Sequence, residues 1–361
     1  LYSRRMEMHF ATIWESIADR IGDRAAITHG PATRTWAEYD DRAARIAGAY
    51  TAAGLGPDSK VGLFMYNSNE YMEAQFAAMK MRAVPININY RYIDEELHYL
   101  LDNSDAEALV FHSSLGDRVA RVIDRLPDLK LVIEVDDGGA GQVPTARRYE
   151  EVVTSHDPLP RMERAEDDTY MLYTGGTTGM PKGVMYAIGG LTAGLGSAAF
   201  PILGLPAPNN AGEIVDAAAG TDGSMISLPC APLMHGTGLW LGCFIPHLLG
   251  SEVVTLTNRS LDPHEVLETV ERRRISTVSI VGDAFAKPLL GAIDEGRGDG
   301  KAYDLSSVAI MQSSGVMWTS EVKQQLLERI DQVMLIDAMG STEGSMGTQI
   351  TMKGLDTETG K

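Results

Sequence analysis

The stretch Tyr173–Val184 reads YTGGTTGMPKGV, and it is the most informative segment of the chain. Three glycines and three threonines precede a Pro-Lys-Gly triplet, and an apolar run from Met171 leads into them as a strand would. Glycines let consecutive backbone N–H groups face one concavity, and threonine hydroxyls and a lysine add donors and positive charge. The pattern therefore predicts a loop that holds a polyphosphate. Its candidate binding residues are Thr174, Gly175, Gly176, Thr177, Thr178, Gly179 and Lys182.

This loop differs from the Walker A phosphate loop. In that motif the lysine is followed by serine or threonine at the start of a helix, whereas Lys182 follows Pro181 and precedes Gly183. The segment instead resembles the phosphate-binding signature of the adenylate-forming enzymes, which include acyl-CoA synthetases, luciferases and adenylation domains. The alternative for a glycine-rich stretch taken alone is a flexible surface loop.

A second segment, DAMGSTEG at residues 337–344, follows a predicted strand at Val333–Ile336. Its first glycine allows a tight turn directly after that strand, and taken alone the segment fits an ordinary polar turn equally well. Ligands bind at the carboxyl ends of strands in open α/β sheets, and a carboxylate beside a phosphate site suits Mg²⁺. The segment resembles the second nucleotide signature of the same family.

That resemblance assigns roles to individual residues of the second segment. It implies that Thr342 hydrogen-bonds the α-phosphate and that Glu343 binds magnesium. It also places Met339 where the family usually has an aromatic ring against adenine. The remaining candidate nucleotide contacts are Asp337, Ala338, Gly340 and Ser341.

A third segment, PCAPLMHGTG at residues 229–238, contains His235 just before a predicted apolar helix, Leu239–Leu249. It resembles the histidine motif of the family, in which this residue lines the carboxylate-binding pocket. Glycines near His235 are expected to leave room for a long or bulky acyl group. His247 is predicted to be a packed residue, as are both cysteines, Cys230 and Cys243.

Two further glycine-bearing turns are predicted after strands, where binding loops gather. The turn SSGVMW begins at Ser313, and the resemblance places Ser313, Ser314 and Gly315 beside adenine and the acyl group, largely through their backbone. The other, GDAFAKP at residues 282–288, corresponds to a region that shapes the acyl pocket. Its Asp283 also fits an ordinary surface pair with Lys287.

Short apolar runs alternate with helical patterns along the chain. The predicted strands are Val61–Met65, Ala108–Phe111, Leu131–Val135, Met171–Thr174, Glu252–Leu256, Thr277–Val281, Val308–Gln312 and Val333–Ile336. One predicted helix starts at Pro263, with Asp262 as N-cap and Glu265 in capping-box register, and another follows a Thr319 cap. A third begins at Asp94.

This alternation predicts an α/β fold. The resemblance implies two stacked α/β subdomains with mostly parallel sheets flanked by helices, at roughly residues 1–165 and 166–361. A polar loop at 136–144 and a charged run at 161–168 mark the seam between them. Members of the family continue into a small C-terminal domain, which we expect to be absent from this chain.

The composition excludes some partners. The chain has 361 residues with 31 basic and 49 acidic side chains, a net charge of −18, so it is a poor non-specific binder of nucleic acid or anionic membrane. Two cysteines without a CxxC pair fit a reduced cytoplasm. The charge-free stretch 186–212 is long enough to span a bilayer but is broken by glycines and prolines. It predicts a buried helix at roughly 187–199 and at most peripheral membrane contact.

Together the motifs resemble most closely those of actinobacterial fatty-acyl or steroid-acyl CoA synthetases. The resemblance implies ATP-dependent activation of a carboxylic acid with Mg²⁺, and then transfer to CoA, with Thr342, Glu343, Lys182 and His235 as catalytic residues. A homodimer is compatible with the class. Three alternatives stay open: loading of a carrier-protein thiol, a non-catalytic nucleotide or acyl sensor, and an unrelated P-loop NTPase.

Overall fold

A computed structural model describes residues 6–141, 143–175, 180–341 and 344–354. The strands are β1 (Ala25–His29), β2 (Ala32–Thr35), β3 (Lys60–Phe64), β4 (Val84–Asn87), β5 (Ala106–His112), β6 (Leu131–Val135), β7 (Arg147–Arg148), β8 (Thr169–Thr174), β9 (Lys182–Ala187), β10 (Ile226–Pro229), β11 (Glu252–Thr255), β12 (Thr277–Ile280), β13 (Ile310–Ser313), β14 (Met334–Ser341) and β15 (Gly344–Thr351). The α-helices are α1 (Phe10–Ile21), α2 (Trp36–Ala52), α3 (Asn69–Lys80), α4 (Asp94–Asn103), α5 (Gly116–Val122), α6 (Tyr149–Ser155), α7 (Ile188–Ala199), α8 (Ala211–Gly220), α9 (Ile245–Leu248), α10 (Pro263–Arg273), α11 (Gly282–Glu295) and α12 (Ser320–Arg329). A π-helix occupies Thr237–Phe244.

The chain forms two compact units. The first consists of residues 1–26, 34–220 and 248–250, and the second of residues 27–33, 221–247 and 251–361. This division differs from the expected seam near residue 165, because segment 166–220 clusters with the first unit. The assignment of subdomains at 1–165 and 166–361 stays a prediction.

The first unit contains a five-stranded parallel sheet in the order β4-β3-β5-β6-β7. Its strands are apolar because they are buried, and residues such as Leu109 and Phe111 pack with Leu97 of α4 and Val119 of α5. A second group of buried rings joins α1, α2 and α3: the Phe76 ring lies 5.3 Å from that of Trp14 and 5.0 Å from that of Tyr39. Strands β8 and β9 form a separate antiparallel pair.

The second unit contains an eight-stranded sheet in the order β15-β14-β13-β12-β10-β11-β1-β2. The pairings from β14 through to β1 are parallel, and β15 runs antiparallel to β14. Helices α10, α11 and α12 contribute apolar residues to its core. The predicted α/β fold with mostly parallel sheets flanked by helices is confirmed.

The eight predicted strands all overlap observed ones. The helix starts at Asp94, Pro263 and Ser320 are confirmed, with Asp262 accepting hydrogen bonds from the first-turn N–H groups of α10 and Thr319 accepting from α12. Glu265 lies in the predicted register and its N–H donates to the Asp262 carboxylate at 3.3 Å, but its own carboxylate does not complete a capping box. Its carboxylate instead accepts hydrogen bonds from the loop before the helix, including one of 2.7 Å from the Thr257 N–H.

The first half of the charge-free stretch forms the predicted helix, but this helix is only partly buried, since Gly190, Gly194, Ser197 and Ala198 are exposed. Helix α7 starts at Ile188 and ends at Ala199, and a short 3₁₀ turn, Pro201–Leu203, follows it. Within the described residues, no helix has the length and apolar character that crossing a lipid bilayer requires.

Candidate active site

The predicted phosphate loop lies at one end of the β8–β9 hairpin in the first unit. Thr174 and Lys182 face each other as the last pair of this antiparallel ladder, so the loop begins and ends at neighbouring backbone positions. Gly175 and Lys182 are exposed and Thr174 is half-buried. The loop residues Gly176, Thr177, Thr178 and Gly179 lie outside the described residues.

Gly183 is required for close packing within this hairpin. A Cβ atom there would lie 2.7 Å from the sulfur of Met171 and 2.9 Å from the ring of Tyr173. The glycine of the Pro-Lys-Gly triplet therefore leaves room for the side chains of Met171 and Tyr173 to lie against β9.

Asn87 at the end of β4 fixes the residue that precedes the loop. Its side-chain amide accepts a 2.7 Å hydrogen bond from the Tyr173 N–H and donates a 3.0 Å bond to the Tyr173 carbonyl. The Tyr173 hydroxyl donates to Asn103 at 2.9 Å, and burial raises the pKa of Tyr173 to about 12, so this hydroxyl stays protonated. Asn87 was not among the site residues predicted from the sequence. An asparagine at the end of an apolar strand was the available signal, because a buried amide needs partners.

The second nucleotide segment lies on β14 of the second unit. The sequence predicted that the strand ends at Ile336 with a turn at Gly340, but β14 continues to Ser341. Met339 pairs with Gly347 and Gly340 with Ser345, with an irregularity in register between Met339 and Gly340. The turn at Gly340 is therefore wrong. Thr342 and Glu343 lie outside the described residues.

Asp337 has a partner that the sequence did not indicate. Its carboxylate lies 2.9 Å from the ammonium of Lys323 on α12, which also donates to Gln349 at 3.3 Å. The Lys323 ammonium lies 5.4 Å from the centre of the Trp318 ring. Lys323 thus joins β14, β15 and the turn after β13, while the neighbouring Ala338 is half-buried.

The turn after β13 is interlocked with the start of α11. The buried Ser313 hydroxyl accepts a 2.8 Å hydrogen bond from the Gly282 N–H. Gly282 has φ +50°, and a Cβ there would lie 2.4 Å from the Met317 carbonyl oxygen, so only glycine fits. Ser314 is half-buried, and Gly315 is exposed with φ +95°.

The segment GDAFAKP is not a turn, because Gly282 starts helix α11. Asp283 pairs with Lys287 at 3.2 Å as predicted, but it also accepts hydrogen bonds from the Thr319 N–H at 2.9 Å and the Thr319 hydroxyl at 3.0 Å. Burial raises the pKa of the Asp283 carboxyl, but the bonds from Thr319 and Lys287 outweigh it and leave the pKa below its ordinary value. Asp283 therefore joins two helix starts as an anion.

The histidine motif leads into the π-helix rather than the regular helix that was predicted at Leu239–Leu249. His235 is exposed. A Cβ built on Gly315 would lie 3.6 Å from the Thr237 hydroxyl, so the structure brings the start of this helix beside the SSG turn. The packed positions of His247 and Cys243 are confirmed, and burial raises the pKa of the Cys243 thiol well above its ordinary value. Cys230 is only partly buried.

The glycines near His235 have a different function from the predicted one. A Cβ on Gly238 would lie 2.3 Å from the Pro232 carbonyl oxygen, and one on Gly242 would lie 2.5 Å from the Pro229 Cβ. Their small size allows the helix to pack closely against neighbouring backbone. The sequence had suggested that these glycines leave room for an acyl group, but Gly238 and Gly242 leave none.

Comparison with known proteins identifies the family. A sequence model described as AMP-binding enzyme matches residues 14–361. The chain belongs to the AMP-binding enzyme family. This result confirms the resemblance read from the glycine–threonine loop and its companion motifs.

Curated members of the family are similar over nearly the whole chain. The medium-chain acyl-CoA ligase Mig of Mycobacterium avium is 34% identical over 346 residues, covering 91% of this chain and 61% of that protein. The medium/long-chain-fatty-acid–CoA/3-oxocholest-4-en-26-oate–CoA ligase of Mycolicibacterium smegmatis is 33% identical over 356 residues, covering 97% and 63%. The chain thus spans about three-fifths of the length of these relatives.

Solved structures of CoA ligases share the fold. The anthranilate CoA ligase AuaEII in complex with anthranoyl-AMP has a TM-score of 0.80 at 20% identity, covering 97% of this chain and 63% of that one. The long-chain-fatty-acid–CoA ligase FadD1 from Archaeoglobus fulgidus has a TM-score of 0.77 at 21% identity, covering 97% and 67%. At this identity the similarity concerns the fold alone.

Proposed function

We propose that the chain is the adenylating portion of an ATP-dependent acid–thiol ligase that makes acyl-CoA. The observation that carries this proposal is the family match across residues 14–361. The names of the curated relatives support it, because they are ligases that join CoA to medium-chain, long-chain or steroid acids. Fatty or steroid-like acids are therefore the proposed substrate class.

The proposed chemistry has two steps. A carboxylate oxygen attacks the α-phosphorus of ATP, the bond from that phosphorus to the bridging oxygen breaks, and pyrophosphate leaves. The CoA thiolate then attacks the acyl carbon, and AMP leaves with the electron pair of the acyl–oxygen bond. The first step brings two anions together, so catalysis there depends on positioning and charge neutralisation.

The proposed roles follow the predicted site residues. The loop at 174–182 holds the β- and γ-phosphates, and Lys182 contributes positive charge. Thr342 holds the α-phosphate and Glu343 binds Mg²⁺, which when bound neutralises charge on the phosphate oxygens. His235 holds the incoming carboxyl group. The segments 313–315 and 337–341 contact the nucleotide.

The proposal also covers partners and location. The partners are a carboxylic acid, ATP and CoA, without nucleic acid, and a homodimer is compatible with the proposal. The net charge of −18 and the two unpaired cysteines support a cytoplasmic enzyme. Membrane contact, where it occurs, is peripheral.

Exchange of labelled pyrophosphate into ATP tests the first step. The gene product that carries this chain should catalyse exchange only when a carboxylic acid is added, and a panel of fatty and steroid acids should reveal the preferred class. With CoA present, mass spectrometry should detect acyl-CoA and AMP in equal amounts.

Each alternative gives a different result in the same assay. Release of ADP without any acid would indicate an ordinary NTPase, and nucleotide binding without exchange would indicate a sensor. If pyrophosphate exchange occurs but the acyl product forms only on a pantetheinylated carrier protein, the acceptor is the carrier protein and not CoA.

A further inference from the structure

Pro246, which follows the π-helix at Thr237–Phe244, limits the backbone donors available to the carbonyls of its last turn. In a helix, a carbonyl accepts a hydrogen bond from the N–H four residues later in the α register or five later in the π register. Pro246 has no N–H. It therefore leaves the Gly242 carbonyl without an α-register donor and the Leu241 carbonyl without a π-register donor. The first N–H after the π-helix, that of Ile245, bonds to the Trp240 carbonyl in the π register.

Side chains of the underlying sheet bond to these same two carbonyls. The Gln312 amide on β13 donates 2.8 Å to the Leu241 carbonyl, and the Ser227 hydroxyl on β10 donates 2.9 Å to the Gly242 carbonyl. Gln312 also donates 3.0 Å to the hydroxyl of Ser279, its direct neighbour on β12.

These three polar side chains are buried within the parallel sheet. Ser227 and Ser279 are 0% exposed and Gln312 is 8% exposed. A buried polar group is unfavourable unless it is hydrogen-bonded. Gln312 and Ser227 meet this requirement by bonding to the two helix carbonyls, and Ser279 meets it by accepting from Gln312.

The close approach of Gly242 fixes the helix on the sheet. A Cβ atom on Gly242 would lie 2.5 Å from the Pro229 Cβ and 3.3 Å from the Ser279 hydroxyl, so a larger residue would not fit there. Pro229, Ser279 and Gln312 lie at or near the carboxyl ends of parallel strands, the edge at which α/β sheets bind ligands. A change of one residue in the helix register would move Gly242 away from this contact.

Other residues of the same segment remain accessible. His235 is exposed, and Thr237, Trp240 and Leu241 are half-buried. Because side-chain direction follows helix register, a change of register would change which of these side chains face the carboxyl edge of the sheet.

We propose that Gln312, Ser227 and Ser279 are positioning residues that hold the π-helix in register and thereby determine which acyl groups the site accepts. This inference rests on the proposed acid–thiol ligase function. The three residues act through the helix and touch no substrate themselves.

Gln312→Met tests the proposal, because methionine keeps the volume of the side chain and removes its donor. The ratio of kcat/KM between a medium-chain and a steroid acid should change about tenfold, a normal range for a displaced pocket wall. The KM for ATP should stay within about twofold of the wild-type value. General damage to the enzyme would instead change the use of ATP and of both acids together.

Thr255→Val is the matched control. Thr255 is buried in the same sheet, but its hydroxyl bonds to His29 at 2.9 Å and to the Thr28 carbonyl at 3.3 Å instead of the π-helix. Thr255→Val should lose about as much thermal stability as Gln312→Met, but it should leave the ratio of kcat/KM between the two acids unchanged. An unchanged ratio in folded Gln312→Met, or the same change in the control, would overturn the proposal. If Gln312→Met does not fold, the smaller change Ser227→Ala decides in the same way.

Hydrogen exchange separates failure of this inference from failure of the proposed ligase function. Without any substrate, amides of residues 237–248 should exchange about tenfold faster in Gln312→Met than in the wild type, and at the wild-type rate in Thr255→Val. Faster exchange in a protein that activates no acid would remove the ligase function and keep the anchoring role. Unchanged exchange at 237–248 would contradict the anchoring itself.

Discussion

At the scale of single residues, the Asn87 side chain makes the hydrogen bonds to Tyr173 that the backbone of a neighbouring strand would otherwise make. Tyr173 lies directly before the phosphate loop, and both of its backbone polar groups bond to the Asn87 amide. A backbone group without a partner in the interior is unfavourable. Asn87 therefore joins β4 to β8 and defines where the loop begins.

Asn87→Leu should destabilise the protein and weaken nucleotide use. It leaves the N–H and the carbonyl of Tyr173 unpaired in a buried position, which costs roughly 3 kcal/mol in the free energy of unfolding. Urea denaturation measures this loss, and pyrophosphate exchange measures the KM for ATP. Asn87→Gln, which keeps both an amide donor and an acceptor on a longer side chain, should lose less. Equal losses of stability in both variants would show that the two hydrogen bonds between residue 87 and the Tyr173 backbone are unimportant.

Site residues differ in how readily the sequence predicts them. The phosphate loop at 174–182 and the threonine–glutamate pair at 342–343 were predicted from local strings, because phosphate and metal chemistry needs specific residue types close together in the sequence. Asn87 and Lys323 were missed, because their partners lie 86 and 14 residues away in the chain. Distant pairing depends on the fold and leaves no local pattern.

At the scale of elements, apolar runs predicted the strands well and the helix around Pro246 poorly. The period of apolar residues in 239–249 fits a helix, but it carries no information on hydrogen-bond register. Pro246 was the overlooked signal, since proline within a helix removes a donor. Strand β14 was predicted too short because its pairing with β15, not its own composition, extends it to Ser341.

Lys323 on α12 should contribute more to stability than an exposed lysine. Its side chain is 6% exposed, and that of Asp337 is 14% exposed. Lys323→Met leaves the Asp337 carboxylate without its cation, and we expect a loss of about 3 kcal/mol in the free energy of unfolding. Thermal and urea unfolding measure it.

Lys287→Met is the control for the Lys323 prediction. Lys287 pairs with Asp283 at 3.2 Å, but its side chain is 64% exposed, so the loss should stay below about 0.5 kcal/mol. Asp337→Asn in the Lys323→Met background should recover part of the stability. A Lys323→Met variant no less stable than Lys287→Met would refute the burial argument.

At the scale of the whole molecule, buried ionisable groups in the first unit should affect its stability at mildly acidic pH. His9 is the N-cap of α1, and its Nδ1 accepts a 3.1 Å hydrogen bond from the Ala11 N–H. Its Nε2 lies 3.6 Å from the Asp168 carboxylate. Burial, and then the charges of Arg164 and Arg82, hold the pKa of His9 well below its ordinary value. His9 is therefore neutral in the folded protein.

The direction of the pH effect follows from this lowered pKa. Below the unfolded-state pKa of about 6.5, the unfolded chain binds a proton at His9 that the folded protein does not bind. The free energy of unfolding therefore decreases as the pH is lowered. The slope from this group approaches about 1.4 kcal/mol per pH unit below that point. His9→Asn, which keeps a capping side chain, should lose less stability between pH 7 and pH 5.5 in urea unfolding. Parallel pH profiles for the two proteins would exclude His9 as the cause.

The path of the chain between its two units has a practical consequence. The polypeptide passes from one unit to the other after Ala26, Thr33, Gly220, His247 and Gly250. A gene divided after codon 220 would leave residues 27–33, with most of β1, on the fragment that lacks the rest of the eight-stranded sheet. Neither half would then carry a complete core, so the two units cannot be exchanged between enzymes as single contiguous cassettes.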